Sequence, residues 1–206
     1  MENGELKKRD PQKIVRSFGV QRENEKWKKN EKFKIFTREL LKWNRVHKFT
    51  NYKTPEEIEE QIEDSLFPLE QIKEAKTALD IGTGAGFPGL ILAIAMPDTK
   101  WFLVEPLKKR YSFLNYMKIK LGLNNTEIIP SRLEKADINP VELITTRAVM
   151  PTSKIIEISK PFLQKNGKIL LYKGSSVLDE LNDLNVKVEI ISKGMRNYLF
   201  LKDLHG

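Results

Sequence analysis

The stretch 77–89, TALDIGTGAGFPG, constrains the fold more than any other part of this chain. A short apolar run carries an acid, Asp80, near its end. Glycine then alternates with small residues at Gly82, Gly84 and Gly86 before Pro88 opens a helical stretch. Glycines at this spacing let the backbone turn sharply and approach a ligand where a side chain would collide. A strand, glycine turn and helix in succession belong to an open parallel sheet, whose ligands bind beyond the carboxyl ends of the strands.

The rest of the chain supports that reading. Short apolar runs predict strands at 77–81, 100–105, 126–129, 141–145, 168–172, 186–190 and 198–201, with helices at 88–96, 108–121, 153–163 and 176–184 between them. The alternation predicts an α/β, Rossmann-like fold: a mostly parallel seven-stranded sheet with helices on both faces. No helix is predicted between the last two strands, so they are expected to close the sheet as an antiparallel edge. With 206 residues, one domain with an appendage is expected: an N-terminal helical, basic extension at 1–75 and a ligand-binding core at 76–206. In the extension, Phe33, Phe36, Leu40 and Trp43 are spaced to form one apolar face of a long helix over 24–47, which reads as core. Thr54, Pro55 and Glu57 have the spacing of a capping box with proline at the first helical position.

Composition removes whole classes of chemistry. The chain has no Cys and two His, His47 and His205. Disulfides, zinc–cysteine sites and thiolate nucleophiles are therefore excluded, and no metal site is expected. The longest uninterrupted apolar run, 90–96, is far short of the ~20 residues of a membrane span. The opening MENGELKKRD lacks the apolar stretch of a signal peptide, so a soluble cytoplasmic protein is expected. Charge is uneven: residues 1–50 hold 15 Lys and Arg against 7 Asp and Glu, 51–80 hold 3 against 9, and 81–206 hold 18 against 12. A basic arm ahead of a mildly basic body points to a polyanion, most simply nucleic acid, with Lys28, Lys29, Lys32 and Lys34 as candidate contacts.

Two cofactor classes fit the glycine loop. Gly84, Gly86 and Gly89 match the dinucleotide fingerprint of NAD enzymes. A second register, starting at Gly82 with Asp80 two residues ahead, disfavours a pyrophosphate and suits the ammonium and sulfonium of S-adenosyl-L-methionine. Glu105, 19 residues beyond Gly86, has the position of an acid that accepts hydrogen bonds from adenosine ribose hydroxyls in either cofactor. If the reaction is methyl transfer, the acceptor is narrowed by absences. The segment Thr145, Thr146, Arg147, Ala148 lacks the Pro-Pro-aromatic clamp used for exocyclic base amines, and thiolate chemistry on a pyrimidine carbon needs a Cys. A ring nitrogen such as guanine N7 needs no proton removed, so positioning and electrostatics suffice. No general base is assigned, and His47 reads as a packed helix residue. Arg147, at the end of the fourth strand, is positioned to reach cofactor or acceptor.

The ordered set of motifs resembles the RsmG (GidB) family of bacterial 16S rRNA guanine-N7 methyltransferases. It comprises Asp80-Ile81-Gly82-Thr83-Gly84-Ala85-Gly86-Phe87-Pro88-Gly89, Leu41-Lys42-Trp43-Asn44-Arg45 with Phe49-Thr50, and Asp64-Ser65-Leu66. Further along come Lys108-Lys109-Arg110 with Phe113-Leu114, Ser131-Arg132-Leu133-Glu134, Thr146-Arg147-Ala148 and Tyr172-Lys173-Gly174. The similarity spans roughly residues 30–200. It implies a class I methyltransferase fold acting on 16S rRNA or the small ribosomal subunit, with Gly82, Phe87, Leu133, Glu134 and Arg147 as cofactor contacts. Three departures stand out: Gln61-Ile62-Glu63 where the family usually has a His before Asp64-Ser65, Glu105 for a usual Asp, and Phe49-Thr50 for a frequent Leu-Thr. The residues also leave open an NAD-dependent oxidoreductase and a non-catalytic RNA-binding protein.

Overall fold

The computed structural model describes residues 13–17, 27–147, 150–175 and 186–204. In chain order the elements are β1 (Lys13–Ser17), α1 (Glu31–His47), α2 (Pro55–Leu66), β2 (Thr77–Ile81), α3 (Gly89–Ala95), β3 (Lys100–Val104) and α4 (Lys108–Leu121). After them come β4 (Thr126–Ile129), β5 (Val141–Thr146), α5 (Thr152–Ser159), β6 (Leu163–Lys173), β7 (Lys187–Lys193) and β8 (Arg196–Lys202). The strands form one sheet in the order β1-β7-β8-β6-β5-β2-β3-β4. Its pairs are parallel except β6–β8 and β7–β8, which form the antiparallel edge expected from the missing helix. All seven predicted strands are present. An eighth, β1, pairs in parallel with β7 and was not legible in the sequence. The helix expected at 176–184 lies outside the described residues.

Strand side chains alternate between two cores. Ala78, Leu103 and Leu143 belong to a cluster with α1, α2, α3 and α4, whereas Leu79, Val104 and Ile144 belong to a second cluster with Ile155 of α5. This alternation is the period-2 geometry of strands covered on both faces.

α1 begins at Glu31, not at residue 24, because the Asn30 side chain accepts from the Lys32 N–H at 3.0 Å and caps it. Its aromatic stripe is core: Phe33, Phe36 and Leu40 are buried, and Trp43 packs against Phe49, Phe113 and Tyr116. His47 stacks on Phe49 as a packed residue. The capping box at Thr54 and Glu57 is present.

One acid interrupts the apolar face of α1. Glu39 is buried and accepts from the Tyr116 hydroxyl of α4 at 2.7 Å and from Lys42 at 3.1 Å, with Lys120 at 3.5 Å. Burial alone raises its pKa, but the hydrogen bonds and the two ammonium charges outweigh it and hold the carboxyl at about 2. A depressed folded-state pKa adds stability that is present above the unfolded value and lost as pH falls toward 2. Glu39→Gln should therefore cost about 2 kcal/mol at pH 7. Urea denaturation should show the difference from wild type shrinking from pH 5 down to pH 2.

Candidate functional site

The carboxyl ends of β2, β3, β4 and β5 carry the residues singled out by the sequence. The turn after β2 is left-handed at three glycines, with φ of +68° at Gly82, +61° at Gly84 and +105° at Gly86. This region is closed to most side chains. The Gly82 and Thr83 N–H groups donate to the Val104 carbonyl, and the Gly86 and Phe87 N–H groups donate to the Thr83 carbonyl. Gly82 is exposed, and nothing lies within 4 Å of where its Cβ would point, so the turn presents bare backbone to an open space.

Asp80 is where the structure departs most from the sequence reading. An acid ahead of the glycines reads as a partner for an ammonium, but its carboxylate has no exposed surface. Oδ1 accepts from Thr145 Oγ1 at 2.7 Å, and Oδ2 accepts from Thr83 Oγ1 and from the Gly89 N–H at 3.0 Å. Burial pushes this carboxyl up to about 6, against the hydrogen bonds from Thr83, Thr145 and Gly89 and the charge of Arg147, which all lower it. Asp80 thus holds the loop from beneath and ties it to β5.

Glu105, just past β3, is buried and spans two turns: Oε2 accepts from the Gly84 N–H and Oε1 from the Leu107 N–H, both at 2.9 Å. An ionised carboxylate has about four acceptor sites, so capacity remains for two hydroxyl donors. Leu133, in a short 3-10 turn after β4, is buried in the same cluster as Ile81 and Val104, while Glu134 beside it is exposed. Arg147 directly follows β5; Ala148 lies outside the described residues.

Arg147 anchors a cluster that the sequence did not disclose. Its guanidinium donates to Gln61 Oε1 at 2.6 Å and Ser65 Oγ at 3.1 Å, and lies 3.6 Å from Asp64 Oδ2, all three partners on α2. It also sits over the Phe87 ring at 5.5 Å and the Tyr172 ring at 5.9 Å. The Tyr198 hydroxyl donates to Asp64 Oδ1 at 2.9 Å, and the Tyr172 hydroxyl to the Ser65 carbonyl at 2.8 Å. Burial, first of all, raises both phenols far above their ordinary value. Within this cluster Arg147 Nε has no hydrogen-bond partner, and Asp64 Oδ2 is faced only by the Arg147 guanidinium. Asp64-Ser65 and Tyr172 appear among the sequence motifs, but their joint role needed the fold, since α2 and β6 are about a hundred residues apart.

Chemically, the arrangement offers bare loop backbone, a carboxylate suited to ribose hydroxyls and a cation fixed beside an aromatic face. Among the described residues no group of three or more acids or histidines is placed to hold a metal ion. No described helix is long and apolar enough to cross a membrane.

Comparison with known proteins gives a consistent result. A family model described as rRNA small subunit methyltransferase G matches residues 29–204. The chain is 43% identical over 175 residues to ribosomal RNA small subunit methyltransferase G of Aliarcobacter butzleri, covering 84% of this chain and 90% of that protein. It is 48% identical over 147 residues to the Helicobacter pylori protein of the same name, covering 71% and 83%. Among solved structures it resembles a methyltransferase from Geobacter sulfurreducens (TM-score 0.58, 14% identity, 82% of this chain and 88% of that one). It also resembles a SAM-dependent methyltransferase from Aquifex aeolicus (TM-score 0.57, 20% identity, 68% and 89%). At these identities the structural likenesses speak for the fold, a class I methyltransferase fold.

Gly89 tests the loop's construction. A Cβ there would lie 2.5 Å from Asp80 Oδ2 and 2.6 Å from Leu103 Cδ2. Gly89→Ala should destabilise the protein by about 1–3 kcal/mol through overpacking. A lowered melting temperature in calorimetry is the expected result.

Proposed function

The chain belongs to the rRNA small subunit methyltransferase G family, and from that premise we propose that it transfers a methyl group from S-adenosyl-L-methionine to N7 of a guanine in 16S rRNA. The observation that carries the cofactor assignment is the left-handed glycine turn at the carboxyl edge of the sheet, open above Gly82 and flanked by Glu105 and Arg147. In this reading Gly82, Gly84, Gly86 and Phe87 line the cofactor, Glu105 accepts from its ribose hydroxyls, and Leu133 and Glu134 border the adenine. The division into a basic extension, 1–75, and a cofactor-binding core, 76–206, belongs to the same reading, with β1 of the extension joining the edge of the core sheet.

When bound, S-adenosyl-L-methionine supplies an electrophilic methyl group. The chain's own task is then to orient the acceptor and exclude misaligned approaches. Guanine N7 carries a free lone pair, so an acceptor of this kind would need no residue to remove a proton before transfer. Arg147, held by Gln61, Ser65 and Asp64, is fixed beside Phe87 and suits the O6 edge of a guanine or an adjoining phosphate. Gln61 hydrogen-bonds Arg147 without carrying charge, which supports a positioning role at a place where the family usually has His. Lys108 and Lys109, exposed at the positive end of the α4 dipole, support a polyanionic substrate, because cations there are unfavourable without one.

Calorimetry with S-adenosyl-L-methionine and NAD tests the cofactor, using wild type and Gly84→Val. A branched side chain at φ +61° is strained. Wild type should bind S-adenosyl-L-methionine and not NAD, and the variant should lose at least tenfold in affinity. Expression of the wild-type protein in a strain lacking the small-subunit N7-methylguanosine should restore it. Absence of the restored mark would refute the assignment.

A further inference from the structure

α1 presents a second face, opposite the one that packs on the core. Lys34, Arg38, Lys42 and Arg45 follow one another at intervals of four, four and three residues, so they align along one side of the helix. With Leu41 and Pro55 they line an open groove of about 410 Å³ between α1 and the first half of α2. One acid, Glu59, also borders it, so the groove carries four cations against one anion. Three of the four cations have an acid of α1 as neighbour, two of them sharing Glu39. Lys34 pairs with Glu31 at 2.7 Å and Lys42 with Glu39 at 3.1 Å, while Arg38 lies 3.6 Å from Glu39. Among the described residues the exposed Arg45 side chain makes no ion pair or hydrogen bond.

The groove shares a helix with the candidate site. Glu59 and Pro55 belong to the first half of α2, and Gln61, Asp64 and Ser65 in its second half hold Arg147. At 1.5 Å rise per residue, Glu59 lies about 9 Å along the axis from Ser65, a span that a few nucleotides of single-stranded RNA cover.

We propose that this groove binds the sugar–phosphate backbone of the rRNA strand flanking the target guanine, with Arg38 and Arg45 as principal phosphate contacts. The proposal rests on the rRNA reading above and names the surface that carries it. Charge complementarity selects the occupant: a cationic stripe over aliphatic side chains suits phosphates with the apolar faces of sugars and bases between them. It also moves the contact surface from Lys28, Lys29, Lys32 and Lys34 to the groove face of α1, which keeps only Lys34 of the four.

The test measures binding of wild type, Arg45→Gln and Arg38→Gln/Arg45→Gln to labelled 16S rRNA and to small ribosomal subunits across a salt series. Calorimetric affinity for S-adenosyl-L-methionine is measured alongside. The double variant should bind RNA about tenfold more weakly, and its slope of log affinity against log salt should be shallower by about 1.4, or 0.7 per lost contact. Cofactor affinity should stay within twofold of wild type, and Arg45→Gln alone should show about half the slope change. Unchanged RNA affinity and slope in the double variant would overturn the proposal. So would weakened subunit binding with an unchanged slope, which would mark the groove as a contact for a ribosomal protein. Wild type that binds neither rRNA nor subunits would overturn the rRNA reading itself, and is distinguishable because the failure then precedes any substitution.

Discussion

Three donors from separate parts of the chain converge on the carboxylate of Asp80, which lies beneath the glycine loop without any exposed surface. Thr83 comes from the loop, the Gly89 N–H from the start of α3, and Thr145 from the neighbouring strand β5. A turn with three residues at positive φ has many other shapes open to it, because glycine is as permissive before folding as after. The buried acid selects one of them. It also fixes register across the sheet: Thr145 lies opposite Asp80 in the β2–β5 ladder, so Arg147, two residues on, emerges at the loop's edge. Burying a carboxylate is costly unless each oxygen is bonded, and that requirement accounts for a glycine at position 89, where any Cβ would strike Asp80.

The second constraint runs through Arg147. Its hydrogen-bond and ion-pair partners are all on α2, so that helix takes part in building the site. Phe36 of α1 lies edge-on to Phe87 at 5.4 Å, and its ring edge is 3.3 Å from where a Gly86 Cβ would sit. α1 and α2 therefore pack against the glycine loop on one side and present the cationic groove on the other. If the groove carries the RNA strand as proposed, substrate binding and loop geometry meet in the same two helices, which offers a physical route for one to influence the other.

Much of this was legible in the sequence because it is local. The glycine turn, the capping box at Thr54, the aromatic stripe of α1 and the bounds of α4 follow from spacing within one element, and the structure reproduces them. What was not legible is long-range. β1 is a five-residue run whose only mark is its pairing with β7, some 170 residues later. Asp80 has the charge of an ammonium partner, and only the three-dimensional arrangement of Thr83, Thr145 and Gly89 turns it inward. Tyr198 looks like an ordinary strand residue until Asp64 is brought to it.

On the proposed reading, Asp80 serves S-adenosyl-L-methionine binding through the loop's shape and not by direct charge. The most direct measurement compares the calorimetric affinities of wild type and Asp80→Asn for S-adenosyl-L-methionine and for 5′-methylthioadenosine, which has neither the ammonium nor the sulfonium. Both ligands should lose affinity by the same factor, within twofold. Loss confined to S-adenosyl-L-methionine, with methylthioadenosine unaffected, would contradict the account and return Asp80 to the role of a charge partner.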